Sequence, residues 1–89
     1  MSALRPNPDV VVRRLQDELV LVNMRTNRIY ALNRTGARYW ELLAEGHDRP
    51  VIEARLLQEF DVAPAELSTE IDALTLRLER AGLLGGVDA

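Results

Sequence analysis

The stretch that decides the fold runs from residue 18 to residue 33: Glu18-Leu19-Val20-Leu21-Val22-Asn23-Met24-Arg25-Thr26-Asn27-Arg28-Ile29-Tyr30-Ala31-Leu32-Asn33. Two short apolar runs, Glu18 to Met24 and Arg28 to Leu32, are rich in residues that suit a pleated surface, and a polar link separates them. Asn27 tolerates the left-handed conformation that a tight turn asks for, so the two runs predict a hairpin. Upstream, Val10-Val11-Val12-Arg13-Arg14 is a further β-branched run. Leu15-Gln16-Asp17 joins it to the first hairpin through a link short enough for a second turn. The expectation is a three-stranded antiparallel meander, with its first and third strands as open edges.

Downstream of Leu32 the alternation gives way to helical spacing. Asn33 is placed to cap a first helix reaching about Glu45, with Ala37, Trp40, Leu43 and Ala44 as its buried stripe and Gly46 as its stop. A second helix begins around Asp48 or Arg49, holds Pro50 in its first turn and runs to Phe60, with Ile52, Leu56 and Phe60 on one face and Val62 following as a core plug. A third begins at Pro64, carries Glu66 near its positive end and stops at Gly82. On a helical wheel, Leu67, Ile71, Leu74 and Leu78 of this third helix fall in one narrow arc, and Leu76 stands almost opposite. A three-stranded ribbon does not bury its apolar face alone, so the helices must cover it. The predicted fold class is α+β: an N-terminal three-stranded antiparallel meander followed by three helices, of winged helix-turn-helix type. Residues 1–9, with two prolines, read as a flexible tail, residues 10–84 as the domain, and residues 85–89 as a second tail.

Composition narrows the function. The 89-residue chain is 47% apolar and 28% charged, ordinary values for one small folded domain. It contains no cysteine and a single histidine, His47. Disulfides, thiolate metal sites, a Cys nucleophile and a Ser-His-Asp triad within one chain are therefore disfavoured, and no metal or cofactor is expected. The acid pairs Asp17-Glu18 and Glu41-Glu45 have no base or metal set beside them, so the chain does not read as an enzyme. Thr35-Gly36, near the start of the first helix, is too short for a phosphate loop. No apolar run has the length of a membrane helix, no signal peptide opens the sequence, and a cytoplasmic, membrane-free monomer is expected. All eleven basic residues are arginine, against fourteen acids, for a net charge of −3. They are unevenly spread: residues 1–44 carry a balance of +3 and residues 45–89 a balance of −6. Nucleic acid is a poor partner for such a chain, because phosphate binding needs an excess of Lys and Arg.

The third meander strand, residues 28–32, has exposed backbone N–H and C=O groups on offer and lies next to an apolar helix. At this point the sequence resembles a known family. Asp17 to Asn23, Arg25 to Asn33, Thr35-Gly36-Ala37 with Trp40, Phe60-Asp61-Val62, the third-helix leucines and Ala81-Gly82-Leu83-Leu84 together are similar to the PqqD-like family of precursor-peptide recognition elements, over roughly Val10 to Leu84. Two positions depart from the family pattern: Ala63 stands where a capping Asp usually precedes the proline, and Asn27 where the turn often has Gly.

The resemblance implies a free-standing, non-catalytic module that binds the leader of a ribosomally made precursor peptide. It would act as a peptide chaperone, presenting the leader to a modifying enzyme: a leader peptidase, a cyclase or a radical SAM enzyme, in a lasso-peptide or pyrroloquinoline-quinone pathway. The leader would add as an antiparallel strand to the third meander strand, in a cleft against the third helix. The residues so implicated are Arg28, Ile29, Tyr30, Ala31 and Leu32 of the strand and Ile71, Leu74, Thr75 and Leu78 of the helix, with Glu70 and Arg77 on the opposite flank. Within the strand, side-chain alternation places Tyr30 and Leu32 on one face and Ile29 and Ala31 on the other. Leu32 suits a plain core position, whereas Tyr30 fits either the core or the cleft wall. Leu76 is a candidate docking spot for the enzyme, and His47 reads as a solvated link residue. The alternative is a winged-helix DNA-binding transcriptional regulator with its third helix in the major groove. Glu66, Glu70, Asp72 and Glu79 on that helix outnumber Arg77 and Arg80 and argue against it.

Overall fold

The computed structural model describes residues 3–87 and contains eight elements. They are β1 (Ala3–Pro6), β2 (Val10–Leu15), β3 (Glu18–Asn23), β4 (Arg28–Leu32), α1 (Arg34–Ala44), α2 (Arg49–Glu59), α3 (Pro64–Arg80) and β5 (Leu84–Val87). The expected meander is present as β2-β3-β4, antiparallel throughout. Asn27 has the left-handed conformation its turn requires, at φ 60°, and Gln16 takes the same conformation in the first turn, at φ 58°. The register aligns Leu19 with Leu32 and Leu21 with Tyr30, so the inner face of the sheet is continuous from strand to strand. Leu19, Leu21 and Leu32 are buried there, while Val11, Ile29 and Ala31 point outward and are exposed.

The three helices close over this face. Asn33 caps α1 by accepting a hydrogen bond from the Gly36 amide at 2.9 Å. Asp48 caps α2, and α3 begins at Pro64 behind Ala63, which supplies no side-chain cap. Gly46 and Gly82 follow α1 and α3 in left-handed conformations, at φ 96° and 74°. Ion pairs clamp the helices to each other. Arg38 of α1 reaches Glu59 at 2.8 Å, and Arg49 of α2 reaches Asp72 of α3 at 2.5 Å while donating to the Ser68 carbonyl at 3.0 Å. Arg14 of β2 pairs with Glu41 of α1.

Three expectations are corrected. The expected tails hold strands: β1 pairs antiparallel with β5, with Leu4 opposite Gly86 and Pro6 opposite Leu84. Leu4 packs on the core and Leu84 is buried, so the apolar side chains flanking the prolines and glycines repay the ordering of both ends. Residues 1–2 and 88–89 of those expected tails lie outside the described residues. The buried face of α1 is rotated from the expected stripe: Tyr39 and Leu42 join Ala37, Trp40 and Leu43 in the core, and Ala44 is exposed. On α3, the flank left open is that of Glu70 and Arg77, while Thr75 turns toward Tyr39.

One polar cluster ties the two ends to the meander. The carbonyl of Gly82 accepts from both Asn7 Nδ2 and Asn23 Nδ2, each at 3.0 Å. Asn23 is only 2% exposed and also accepts from the Arg25 amide through its Oδ1, so this buried amide is satisfied on both sides.

Candidate functional site

β4 is an edge of the meander, since the strand order is β2-β3-β4. Its backbone groups divide in two. The Met24 amide donates to Asp9 at 3.0 Å, which aims this alternate set of β3 residues, Val20 and Val22 among them, at β2. Leu19, Leu21 and Asn23 are thereby aimed at β4, and their partners Leu32, Tyr30 and Arg28 spend their backbone groups inside the sheet. Ile29 and Ala31 are left with N–H and C=O groups pointing away from the sheet, at an open edge.

A groove of about 340 Å³ opens beside this edge, between the C-terminal end of β4, the first turns of α1, and α3. Leu32 and Ile71 form its apolar floor at 3% and 2% exposure, with half-buried Leu74 above them. Small residues keep it open. A Cβ at Gly36 would lie 3.4 Å from Leu74 Cδ2 and 3.5 Å from Leu32 Cβ, ordinary contact distances, so a side chain much larger than alanine here would reach into the groove. Ala73, Asn33 and Thr35 line the walls without filling the space, and Ala31 stands at the mouth. Glu70 and Arg77 complete the α3 wall.

This lining corrects the expected flank of α3. Of the four helix residues singled out from the sequence, Ile71 and Leu74 line the groove. Leu78 is fully buried in the core. Thr75 faces the other side, where its hydroxyl meets the Tyr39 hydroxyl at 2.5 Å beside a separate, mainly apolar hollow lined by Leu4, Leu43, Ile52 and Pro50. Glu70 and Arg77, assigned to the far flank, are on the groove. The helical wheel identifies the apolar arc, but the choice of flank depends on where α1 lands. That is set by Tyr39, whose ring is buried and whose hydroxyl takes Thr75 as its partner. Burial pushes the Tyr39 phenol above its ordinary pKa, and the Thr75 hydrogen bond offsets part of that rise.

The strand residues fall as alternation dictates. Arg28, Tyr30 and Leu32 share the inner face, with Tyr30 half-buried against the core and Arg28 exposed. Ile29, at 67% exposure, and Ala31 face out. The groove residues that sequence reasoning missed are Asn33, Thr35, Gly36, Tyr39 and Ala73. The Thr35-Gly36-Ala37 run was the available signal, because small residues in the first turn of a helix permit a close approach. Leu76 is exposed on α3 at 48%, and the His47 ring lies 3.4 Å from Glu45 at the rim of the second hollow. Among the described residues, no group of three or more His, Cys, Asp or Glu side chains is gathered to hold a metal ion, and no helix is long and apolar enough to cross a membrane.

Two solved structures share this architecture. One is described as TbiB1 in complex with the TbiA(beta) leader peptide; it is 26% identical, superposes with a TM-score of 0.86, and the match covers 96% of this chain and 99% of that one. The other is a lasso peptide synthetase B1 complexed with the leader peptide, 26% identical, with a TM-score of 0.82 and coverage of 92% and 96%. Among curated proteins, none matches the sequence. The family model for coenzyme PQQ synthesis protein D matches residues 18–84, from β3 through α3 to the first residue of β5, and the chain belongs to that PqqD family.

Proposed function

We propose that this chain is a leader-peptide recognition module: it binds the leader region of a ribosomally synthesised precursor and presents it to the modifying enzymes of a lasso-peptide or pyrroloquinoline-quinone type pathway. The observation that carries this reading is the open β4 edge beside an apolar-floored groove, in a fold whose solved relatives are complexes with leader peptides. The leader pairs antiparallel with β4 through the outward N–H and C=O groups of Ile29 and Ala31. Its inward side chains settle against Leu32, Ile71 and Leu74. Backbone pairing supplies affinity that tolerates sequence change, and the groove supplies selection by side chain. The module is non-catalytic and acts as a monomer in the cytoplasm; chemistry on the peptide belongs to the enzyme that receives it.

The test is a titration of the purified protein into fluorescein-labelled synthetic leaders from short precursor genes sought beside this chain's own, with a labelled random duplex DNA in parallel. Leader binding with a Kd of about 1 μM or tighter, and no DNA binding near physiological salt, is expected. Salt-sensitive DNA binding without leader binding would replace this reading with that of a winged-helix regulator.

A further inference from the structure

The α3 wall of the groove carries two charged side chains that the fold leaves unused. Glu70 and Arg77 both line the groove and are both exposed, and neither forms an ion pair among the described residues. Their own helix offers them nothing. The neighbours of Arg77 at three and four residues are Ala73, Leu74, Arg80 and Ala81, and those of Glu70 are Glu66, Leu67, Ala73 and Leu74. Arg38 and Arg49, in contrast, are each committed to carboxylates. Arg28, which shares the inner face of β4 with Tyr30 and Leu32 beyond the end of the groove, is likewise exposed and outside every ion pair among the described residues.

The direction of the groove follows from contacts at its two ends. Gly36, just past the C-terminal end of β4, lies against Leu74, whereas Asn23, the register partner of Arg28 at the N-terminal end of β4, is hydrogen-bonded to Gly82 just past the end of α3. α3 therefore runs antiparallel to β4. A peptide strand pairing antiparallel with β4 runs parallel to α3, so its earlier residues pass Glu70 and its later residues pass Arg77 and Arg28. From Glu70 to Arg77 the helix rises about 10.5 Å. Inward side chains of an extended strand recur about every 6.8 Å.

We propose that Glu70 and Arg77 determine specificity by reading charge order in the bound peptide: a basic side chain at an inward position opposite Glu70, followed about two or four residues later by an acidic side chain opposite Arg77. This inference rests on the leader-binding reading above and adds the class of peptide selected. Arg28 reinforces the basic end. The small Ala73 between the two charges leaves the wall low enough for long side chains to reach both.

The test selects displayed random peptides of about 14 residues, in parallel, on the wild-type chain and on the charge-exchanged Glu70→Arg/Arg77→Glu variant, with circular dichroism confirming that both are folded. Peptides enriched on the wild type are expected to carry Lys or Arg first and Asp or Glu two or four positions later, and those enriched on the variant the opposite order. The best wild-type peptide should bind Arg77→Glu at least roughly threefold more weakly and Arg77→Lys nearly as well as wild type, the gap narrowing as NaCl rises from about 0.05 M to about 0.5 M. The same peptides enriched on both proteins would overturn the charge-reading role and leave leader recognition standing. No enrichment on either protein would overturn both.

Discussion

Replacing Ala31 with proline tests the strand edge at a point where the fold has little to lose. Ala31 is exposed, and its N–H is one of two donors on β4, with that of Ile29, that point away from β3. Proline deletes that donor and places ring carbons where the peptide's carbonyl would sit. The net value of one lost interstrand bond is about 0.5 to 1.5 kcal/mol, and a peptide carbonyl left without a partner adds about 1 to 3 kcal/mol where water does not replace it. Taking the middle of that span, affinity should fall by about 1.5 to 3 kcal/mol, or roughly ten- to 150-fold. Ile29→Pro should behave the same way. Tyr30→Pro is the contrasting case, because its N–H belongs to the ladder with Leu21, so its loss should appear first as a lower melting temperature. The assay is fluorescence anisotropy with the labelled leader, alongside thermal melts of each variant by circular dichroism. An Ala31→Pro protein that melts like wild type and binds the leader with wild-type affinity would refute pairing along β4.

Three further outcomes are expected. Ala73→Arg should fill the groove and cost at least about tenfold in leader affinity, whereas Thr75→Val, which removes the partner of the buried Tyr39 hydroxyl, should cost about 1 to 2 kcal/mol in chemical denaturation and leave affinity within about twofold. Asn23→Ala deletes a buried side chain bonded to both Gly82 and Arg25, and urea denaturation should report a loss of about 2 to 3 kcal/mol. Because burial raises the Tyr39 phenol above its ordinary value of 10.0, the native state holds that proton longer than the unfolded chain does. Stability should therefore be unaffected by this group below pH about 10 and fall as pH rises past it, which melts at stepped alkaline pH would record beside late tyrosinate absorbance.

The meander, the three helices and the Asn33 cap were legible because each is written locally. Asn27 and Asn33 act through their own turns, and Leu19, Leu21 and Leu32 alternate within their own strands. The β1–β5 pair was not legible, since Leu4 stands near two prolines and Leu84 precedes two glycines, and each strand finds its partner, Leu4 opposite Gly86 and Pro6 opposite Leu84, only at the far end of the chain. The groove was half legible. Period two marked residues 28–32 as an edge with one inward face, and the wheel marked Ile71 and Leu74 as apolar. The side of α3 left uncovered depends on the seating of Tyr39 against Thr75, a contact between helices 36 positions apart in sequence. The charges at Glu70 and Arg77 looked like an ordinary solvated flank for the same reason.

The β1–β5 register places Ala3 directly across from Val87, so both described ends of the chain leave from a single point of the surface. None of the groove residues belongs to either of these strands. A polypeptide entering and leaving there would carry the domain as a side loop, with the open β4 edge left uncut. The same geometry would let a short bridge close the chain into a ring, opened anew in one of the helix links without cutting the groove. In that sense the domain is portable: a longer polypeptide could carry it without any change to the residues of the groove.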